Sequence, residues 1–151
     1  MKQSYIGDFE EWEAGFRFSV QIQVRFSETD MFGHLNNTVT FAYFEQARID
    51  YLKDLGLMND WLEPKGECIP VVADLQCDYR KQVFFDETVH VYVKADSIGK
   101  SSVDIHYMAK NENGEVVFTG RGAMVQISKK TGSGVAWTEE EKDLFYARTR
   151  N

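Results

Sequence analysis

The chain has little of what marks several classes of protein. It holds two cysteines, two prolines and three histidines in 151 residues, and no run approaches the roughly 20 apolar residues of a membrane-spanning helix. Cys68 and Cys77 lie nine positions apart on one predicted strand, so they point to opposite faces and do not bridge. The start of the chain carries Asp8, Glu10 and Glu11 where a secretory signal is apolar. We therefore expect a cytoplasmic protein with free thiols.

Positive charge is also scarce. Lysine and arginine total 17 against 24 aspartates and glutamates, which gives a net charge of −7. Because nucleic acids and anionic membranes attract basic surfaces, neither is expected as a partner. What the chain does have is 43% hydrophobic and 14% aromatic residues. That is ample for one core, so residues 1–151 are predicted to form a single domain that buries roughly two thirds of its unfolded surface.

The first periodic segment, residues 16–26, predicts a strand. Apolar and polar residues alternate without a break, which places every apolar side chain on one face. These apolar residues are Phe16, Phe18, Val20, Ile22, Val24 and Phe26.

The next segment, from about Thr38 to Leu55, predicts a long α-helix because its apolar residues recur every three or four positions. Either Asn36 or Asn37 is suited to cap its first turn, and Gly56 follows the last periodic residue as a left-handed stop would. The apolar arc is wide, so we expect most of the helix surface to be covered.

Four more strands and a short helix are predicted after the long helix. The alternating segments are residues 69–79, 89–95, 103–109 and 115–127. Asn113-Gly114 is a strong hairpin signal before the last strand, and Thr138 with Glu141 forms a capping box for a helix that ends near Ala147. The order β-α-β-β-β-β plus a terminal helix predicts an α+β fold, in which a five-stranded antiparallel sheet wraps around one long central helix.

Residues 27–37, between the first strand and the long helix, are unusually rich in polar groups. A turn there needs Gly, Asn or Asp, but it does not need Asp30, His34, Asn36 and Asn37 together. Aspartate side chains are ionised at neutral pH, so Asp30 could attack a carbonyl carbon or take a proton from water. The alternative is that all of these residues are turn formers and helix caps.

Other groups near the helix start suit chemistry on an acyl group. Backbone N–H groups from Asn36 through Thr38 to Val39 carry partial positive charge and could hold a carbonyl oxygen as its charge develops. Gly33 would let the backbone approach a substrate closely. His34 or Asn36 could orient a water molecule, although a histidine in a loop is often structural.

The motif Asp-x-x-Gly-His-x-Asn-Asn, with Tyr-Phe-Glu-Gln-Ala-Arg at positions 43–48, resembles the hotdog-fold acyl-CoA thioesterases of the 4-hydroxybenzoyl-CoA thioesterase-like family. The similarity spans about residues 16–128. It implies that Asp30 is the catalytic carboxylate, that no metal or organic cofactor is required, and that homodimers share their active sites and often pair into tetramers. Two positions depart from the pattern, because many relatives have tyrosine where Thr40 stands and some have histidine where Asn37 stands.

The same resemblance implies an acyl-CoA substrate, which the acidic surface favours over the acidic carrier-protein form. Arg80 and Lys81 are candidates for the coenzyme A phosphates, with a solvated strand end as the alternative reading. Glu45 is a candidate for the acyl pocket, or else forms an ion pair with Arg48.

Two other functions remain open. A hotdog-fold enoyl-CoA hydratase or dehydratase also pairs an aspartate with a histidine, but its loop has Asn-Pro between them and one more residue of spacing. A non-catalytic acyl-CoA-binding module would bind the thioester without cleaving it.

Overall fold

In the computed structural model, residues 3–147 are described. Their elements are α1 (Phe9–Ala14), β1 (Phe18–Gln23), α2 (Val39–Leu55), α3 (Met58–Leu62), β2 (Cys68–Val72), β3 (Gln76–Tyr79), β4 (Thr88–Ile98), β5 (Ser102–Lys110), β6 (Val116–Ser128) and α4 (Glu139–Ala147), with a turn of 3-10 helix at Phe26–Glu28. No helix in this part of the chain has both the length and the apolar character needed to cross a bilayer.

The strands form one antiparallel sheet in the order β1-β4-β5-β6-β2, and β3 also pairs with β6. The sheet curls around α2, so the predicted α+β hotdog arrangement is confirmed. At the centre, Phe44 of α2 stacks on Tyr107 of β5 with ring centroids 4.4 Å apart. Gly120 of β6 makes this approach possible, because a Cβ there would lie 2.5 Å from the Phe44 ring.

The expectation of a single strand over residues 69–79 is wrong in detail. The segment forms two strands, β2 and β3, which pair in turn with β6, so six strands fill five positions. Asp74 lies at the break, where its carboxylate accepts hydrogen bonds from Ala123 N at 2.7 Å and from two nitrogens of Arg121 at 3.0 and 3.1 Å. Gly122 makes room for the break, since a Cβ there would lie 2.4 Å from the Asp74 carbonyl.

The first strand is shorter than its alternating pattern. Phe16 packs on the opposite, outer face of the sheet against Trp12, with centroids 4.8 Å apart, and Phe26 is 75% exposed in the 3-10 turn. Phe16 lies on the outer face because it packs against α1, which the sequence did not predict. This helix covers the outer face with Trp12, so that His106 of β5, on the polar register, is only 1% exposed.

Most predicted helix ends are confirmed. Gly56 ends α2 in the left-handed region with φ 85°, and Thr138 and Glu141 exchange the two hydrogen bonds of a capping box, at 2.8 and 3.1 Å, before α4. The predicted cap of α2 is wrong. Thr38 is the N-cap residue, because Asn36 uses its side-chain oxygen for a local turn with the Thr38 N–H at 3.0 Å.

Candidate active site

The loop between β1 and α2 is closed by the side chain of Asp30. Oδ1 of Asp30 accepts hydrogen bonds from the N–H groups of Phe32 at 2.9 Å and His34 at 3.1 Å, and the Asp30 N–H donates to the His34 carbonyl at 2.8 Å. Gly33 completes the turn with φ 79°, a value that few other residues adopt. Oδ2 of Asp30 has no hydrogen bond to any residue from 3 to 147, so one carboxylate oxygen remains available.

Neighbouring segments hold this loop from two sides. On one side the Leu35 N–H donates to the Val83 carbonyl at 2.7 Å, and the His34 ring meets Phe84 edge-on with centroids 4.9 Å apart. On the other side the Asn36 N–H donates to the Glu28 carbonyl at 2.8 Å. The position of the Asp30 carboxylate is therefore fixed by the backbone of several segments rather than by a free loop.

A cavity of about 540 Å³ opens beside the loop and the first turn of α2. Of the sequence-predicted site residues, six line it: Asp30, His34, Asn37, Thr40, Arg80 and Lys81. The remaining lining comes from residues that the sequence did not single out, namely Leu35, Tyr79, Gln82, Val83 and Phe118. The lining does not include the other predicted residues, which are Gly33, Asn36, Thr38, Val39 and Glu45.

Fewer backbone N–H groups near the helix start are free to bind a ligand than the sequence suggested. From Gly33 to Val39, every N–H group except that of Asn37 donates a hydrogen bond within the described residues. Thr38 donates to the Asn36 side chain and Val39 to the Asn36 carbonyl, at 3.0 and 2.9 Å. Only the Asn37 N–H in this stretch is left for a ligand oxygen in the cavity.

Tyr79 is the functional candidate that sequence reasoning missed. Its hydroxyl donates to the Asn37 carbonyl at 2.5 Å and lies 2.9 Å from Oγ1 of Thr40, which itself donates to the same carbonyl at 3.1 Å. Burial raises the pKa of Tyr79, so the hydroxyl stays protonated and can donate. The strand register, which points Cys77 and Tyr79 to the helix side of the sheet, was the available signal.

The two predicted cations have different surroundings. Lys81 forms an ion pair with Glu115 and thereby lowers the pKa of that carboxyl group. The guanidinium carbon of Arg80 lies 4.6 Å from the centre of the Phe9 ring on α1.

Glu45 is exposed on α2, and the suggested ion pair with Arg48 is absent from residues 3–147. Arg48 is 8% exposed and donates to the hydroxyl of Tyr107 at 3.1 Å. The position of Glu45 therefore gives it no contact with the cavity in one copy of the chain.

One group of possible metal ligands exists among the described residues, and it lies on the outer face of the sheet. Atoms of Asp96, Asp104 and His106 lie within 4.8 Å of one another. Nδ1 of His106 accepts the indole N–H of Trp12 at 2.8 Å, and Nε2 faces Asp104 at 2.8 Å. Asp104 also accepts from Arg121 at 2.9 Å, so these atoms are already used by protein donors and fit a cation poorly.

Comparison with known proteins agrees with the geometry. The profile described as the thioesterase-like superfamily matches residues 24–145. The chain belongs to this superfamily. The uncharacterized protein YsmA of Bacillus subtilis is 47% identical over 137 residues, which cover 91% of this chain and 90% of that protein.

Two solved structures extend the likeness of this thioesterase-like chain. DHNA-CoA thioesterase from Staphylococcus aureus superposes with a TM-score of 0.74 at 26% identity, covering 85% of this chain and 88% of that one. A thioesterase from Thermus thermophilus, solved with coenzyme A and Zn, gives a TM-score of 0.72 at 29% identity, with 88% and 95% covered.

Proposed function

We propose that the protein hydrolyses an acyl-CoA thioester to a free carboxylic acid and coenzyme A. One observation carries this proposal: Asp30, which has an uncommitted carboxylate oxygen, and Asn37, whose N–H is the one from Gly33 to Val39 without a hydrogen bond among residues 3–147, line the same cavity. A thioester carbonyl between them would meet a base or nucleophile on its carbon and a hydrogen-bond donor on its oxygen. This pairing is what acyl transfer to water requires.

The reaction can follow either of two balanced routes. In the first, Oδ2 of Asp30 takes a proton from water as the water oxygen bonds to the carbonyl carbon. The C–S bond then breaks, and the leaving thiolate recovers that proton. In the second, the Asp30 oxygen bonds to the carbon, the thiolate leaves, and water hydrolyses the resulting anhydride. In both routes the Asn37 N–H would hold the oxyanion.

Several observations support coenzyme A as the thiol. Structural relatives include a DHNA-CoA thioesterase and a thioesterase complexed with coenzyme A. The net charge of −7 disfavours an acidic carrier protein. The chemistry above uses only water as a second reactant, so we propose no metal or organic cofactor.

We further propose a homodimer, or a pair of dimers, with a shared active site. Strand β2 is an edge strand of the sheet, and its residues Val71 and Val72 are 36% and 42% exposed. A strand of a second copy could therefore pair with this edge. Met31 and Phe32, beside Asp30, are 88% and 73% exposed and suit the same role. Sedimentation velocity measures the assembly directly, and a monomer at micromolar concentration would contradict this part of the proposal.

The substitution Asp30→Asn tests the chemistry with little change to the fold. An asparagine oxygen can still accept from Phe32 and His34, but the charge and basicity are lost. We expect acyl-CoA hydrolysis to fall about 10²-fold or more, with the thermal midpoint within a few degrees of the parent. Asp143→Asn, the same change at an exposed position of α4, is the matched control and should leave hydrolysis unchanged.

The outcomes separate the competing functions. Unchanged hydrolysis by Asp30→Asn would remove this mechanism. Addition of water to an enoyl-CoA, without thioester cleavage, would favour the hydratase alternative. Tight binding of an acyl-CoA that stays uncleaved for hours would favour a binding module.

A further inference from the structure

The N-terminal segment, residues 3–16, precedes the part of the chain that the superfamily profile matches. It nevertheless touches the strand beside the candidate site. The Tyr5 hydroxyl bonds to Asp78 at 3.0 Å, and the Phe9 ring lies under Arg80, two positions further along the chain. The segment therefore braces β3 and the residue that follows it from the outer face of the sheet.

Arg80 is an exposed cation with no acidic partner among residues 3–147. Its guanidinium carbon lies 4.6 Å from the Phe9 ring centre, and the residue contributes to the cavity lining. An aromatic face attracts the guanidinium and leaves its in-plane N–H edges free to donate. Lys81, next to it, is instead paired with Glu115.

We propose that Arg80 binds a phosphate group of the coenzyme A portion of the substrate, and that Phe9 is a positioning residue that holds the guanidinium in place. This inference rests on the proposed thioesterase function. Planar N–H donors match phosphate oxygens in pairs, which a lysine does not do. In a chain of net charge −7, a cation without an acidic partner among residues 3–147, on a residue that lines the cavity, is a favourable contact for a phosphate.

The experiment measures the dissociation constant of coenzyme A for the full-length protein by titration calorimetry, which needs no turnover. Arg80→Ala should weaken binding about tenfold or more, as for loss of a charge-assisted hydrogen bond. Phe9→Leu keeps an apolar contact with the helix but loses the ring, and should weaken binding about two- to fivefold. The double variant should be no weaker than Arg80→Ala alone, because Phe9 acts only through Arg80.

Ligand variants identify the phosphate. Pantetheine, which carries no phosphate, should bind wild type and Arg80→Ala equally. Dephospho-coenzyme A lacks only the 3′-phosphate. If Arg80→Ala weakens binding of dephospho-coenzyme A as much as binding of coenzyme A, Arg80 contacts the pyrophosphate. If Arg80→Ala leaves binding of dephospho-coenzyme A unchanged, as for pantetheine, Arg80 contacts the 3′-phosphate.

Further variants separate positioning from folding. Phe9→Tyr retains the ring and should bind coenzyme A within twofold of wild type. Tyr146→Leu removes an exposed aromatic from α4 and should change nothing. In turnover, Phe9→Leu should raise KM for acyl-CoA and leave kcat unchanged.

Several results would overturn the inference. The first is that the losses of coenzyme A affinity add up in the double variant. The second is that Arg80→Ala weakens pantetheine binding as much as coenzyme A binding. The third is that Phe9→Tyr binds coenzyme A as weakly as Phe9→Leu does. Hydrolysis by wild type with unchanged coenzyme A affinity in Arg80→Ala would refute this site and spare the function. If Arg80→Ala and Phe9→Leu show the expected coupled losses of coenzyme A binding but the wild type cleaves no thioester, the proposed function is refuted and the phosphate site stands.

Discussion

Replacing Tyr79 by phenylalanine removes one oxygen atom from the wall of the cavity. The ring still fits, since nothing is added, but the hydroxyl no longer donates to the Asn37 carbonyl at 2.5 Å or contacts Thr40 at 2.9 Å. Thr40 still donates to that carbonyl at 3.1 Å, so the carbonyl keeps one side-chain partner. We therefore expect the first turn of α2 to shift without unfolding.

The structure sets the size of two effects of Tyr79→Phe. A hydrogen bond is worth roughly 0.5–1.5 kcal/mol net, and the lower end applies here because Tyr79 is 52% exposed. The thermal midpoint should thus fall by only about 1–2 °C. Turnover is more sensitive, because within residues 3–147 Asn37 carries the one N–H group from Gly33 to Val39 that has no hydrogen bond, and a misplacement of about 1 Å can cost as much as 10²-fold. We expect kcat to fall about tenfold.

The assay follows release of coenzyme A with a thiol-reactive dye and reports kcat and KM alongside the thermal midpoint. Thr40→Val should lower kcat as well, and combining it with Tyr79→Phe should lower kcat further, since the Asn37 carbonyl then has neither hydroxyl. Tyr146→Phe, an equally exposed tyrosine on α4, is the control. Unchanged kcat in Tyr79→Phe would refute the positioning role, and so would a loss of activity explained by a midpoint lowered by more than about 10 °C.

Two further predictions concern stability. Burial lowers the pKa of His106 below its ordinary value of 6.5, and its Nδ1 accepts from Trp12 only when unprotonated. As the pH falls below 6.5, the unfolded chain therefore binds a proton at His106 more readily than the folded chain does. Stability to urea, followed by tryptophan fluorescence, should be full above that pH and fall as pH drops below it, and His106→Gln should flatten the slope. Gly120→Ala places a Cβ 2.5 Å from the Phe44 ring and should cost about 1–3 kcal/mol in urea unfolding, whereas Gly7→Ala, with nothing within 4 Å, should be nearly neutral.

Much of the fold was readable because the governing patterns are local. Alternation in residues 18–22 requires one strand face to be apolar, and these side chains do pack on the helix side. The three-and-four spacing that ends before Gly56 likewise gave α2 to within one residue at its start. The break between β2 and β3 was not readable, because it depends on Gly122 and Arg121, which are distant in sequence.

The same division applies to the site. Sequence alone named Asp30, His34 and Asn37, because a polar loop at a helix start is a feature of consecutive residues. Which of its amides stays free, and that Tyr79 reaches Asn37, depended on how the sheet packs against α2. The docking of α1 was equally hidden, since a six-residue helix shows no period and gains its stability from the face it covers. Local spacing thus determined the elements and the candidate site residues, while contacts between distant strands decided which of their polar atoms have no partner among residues 3–147.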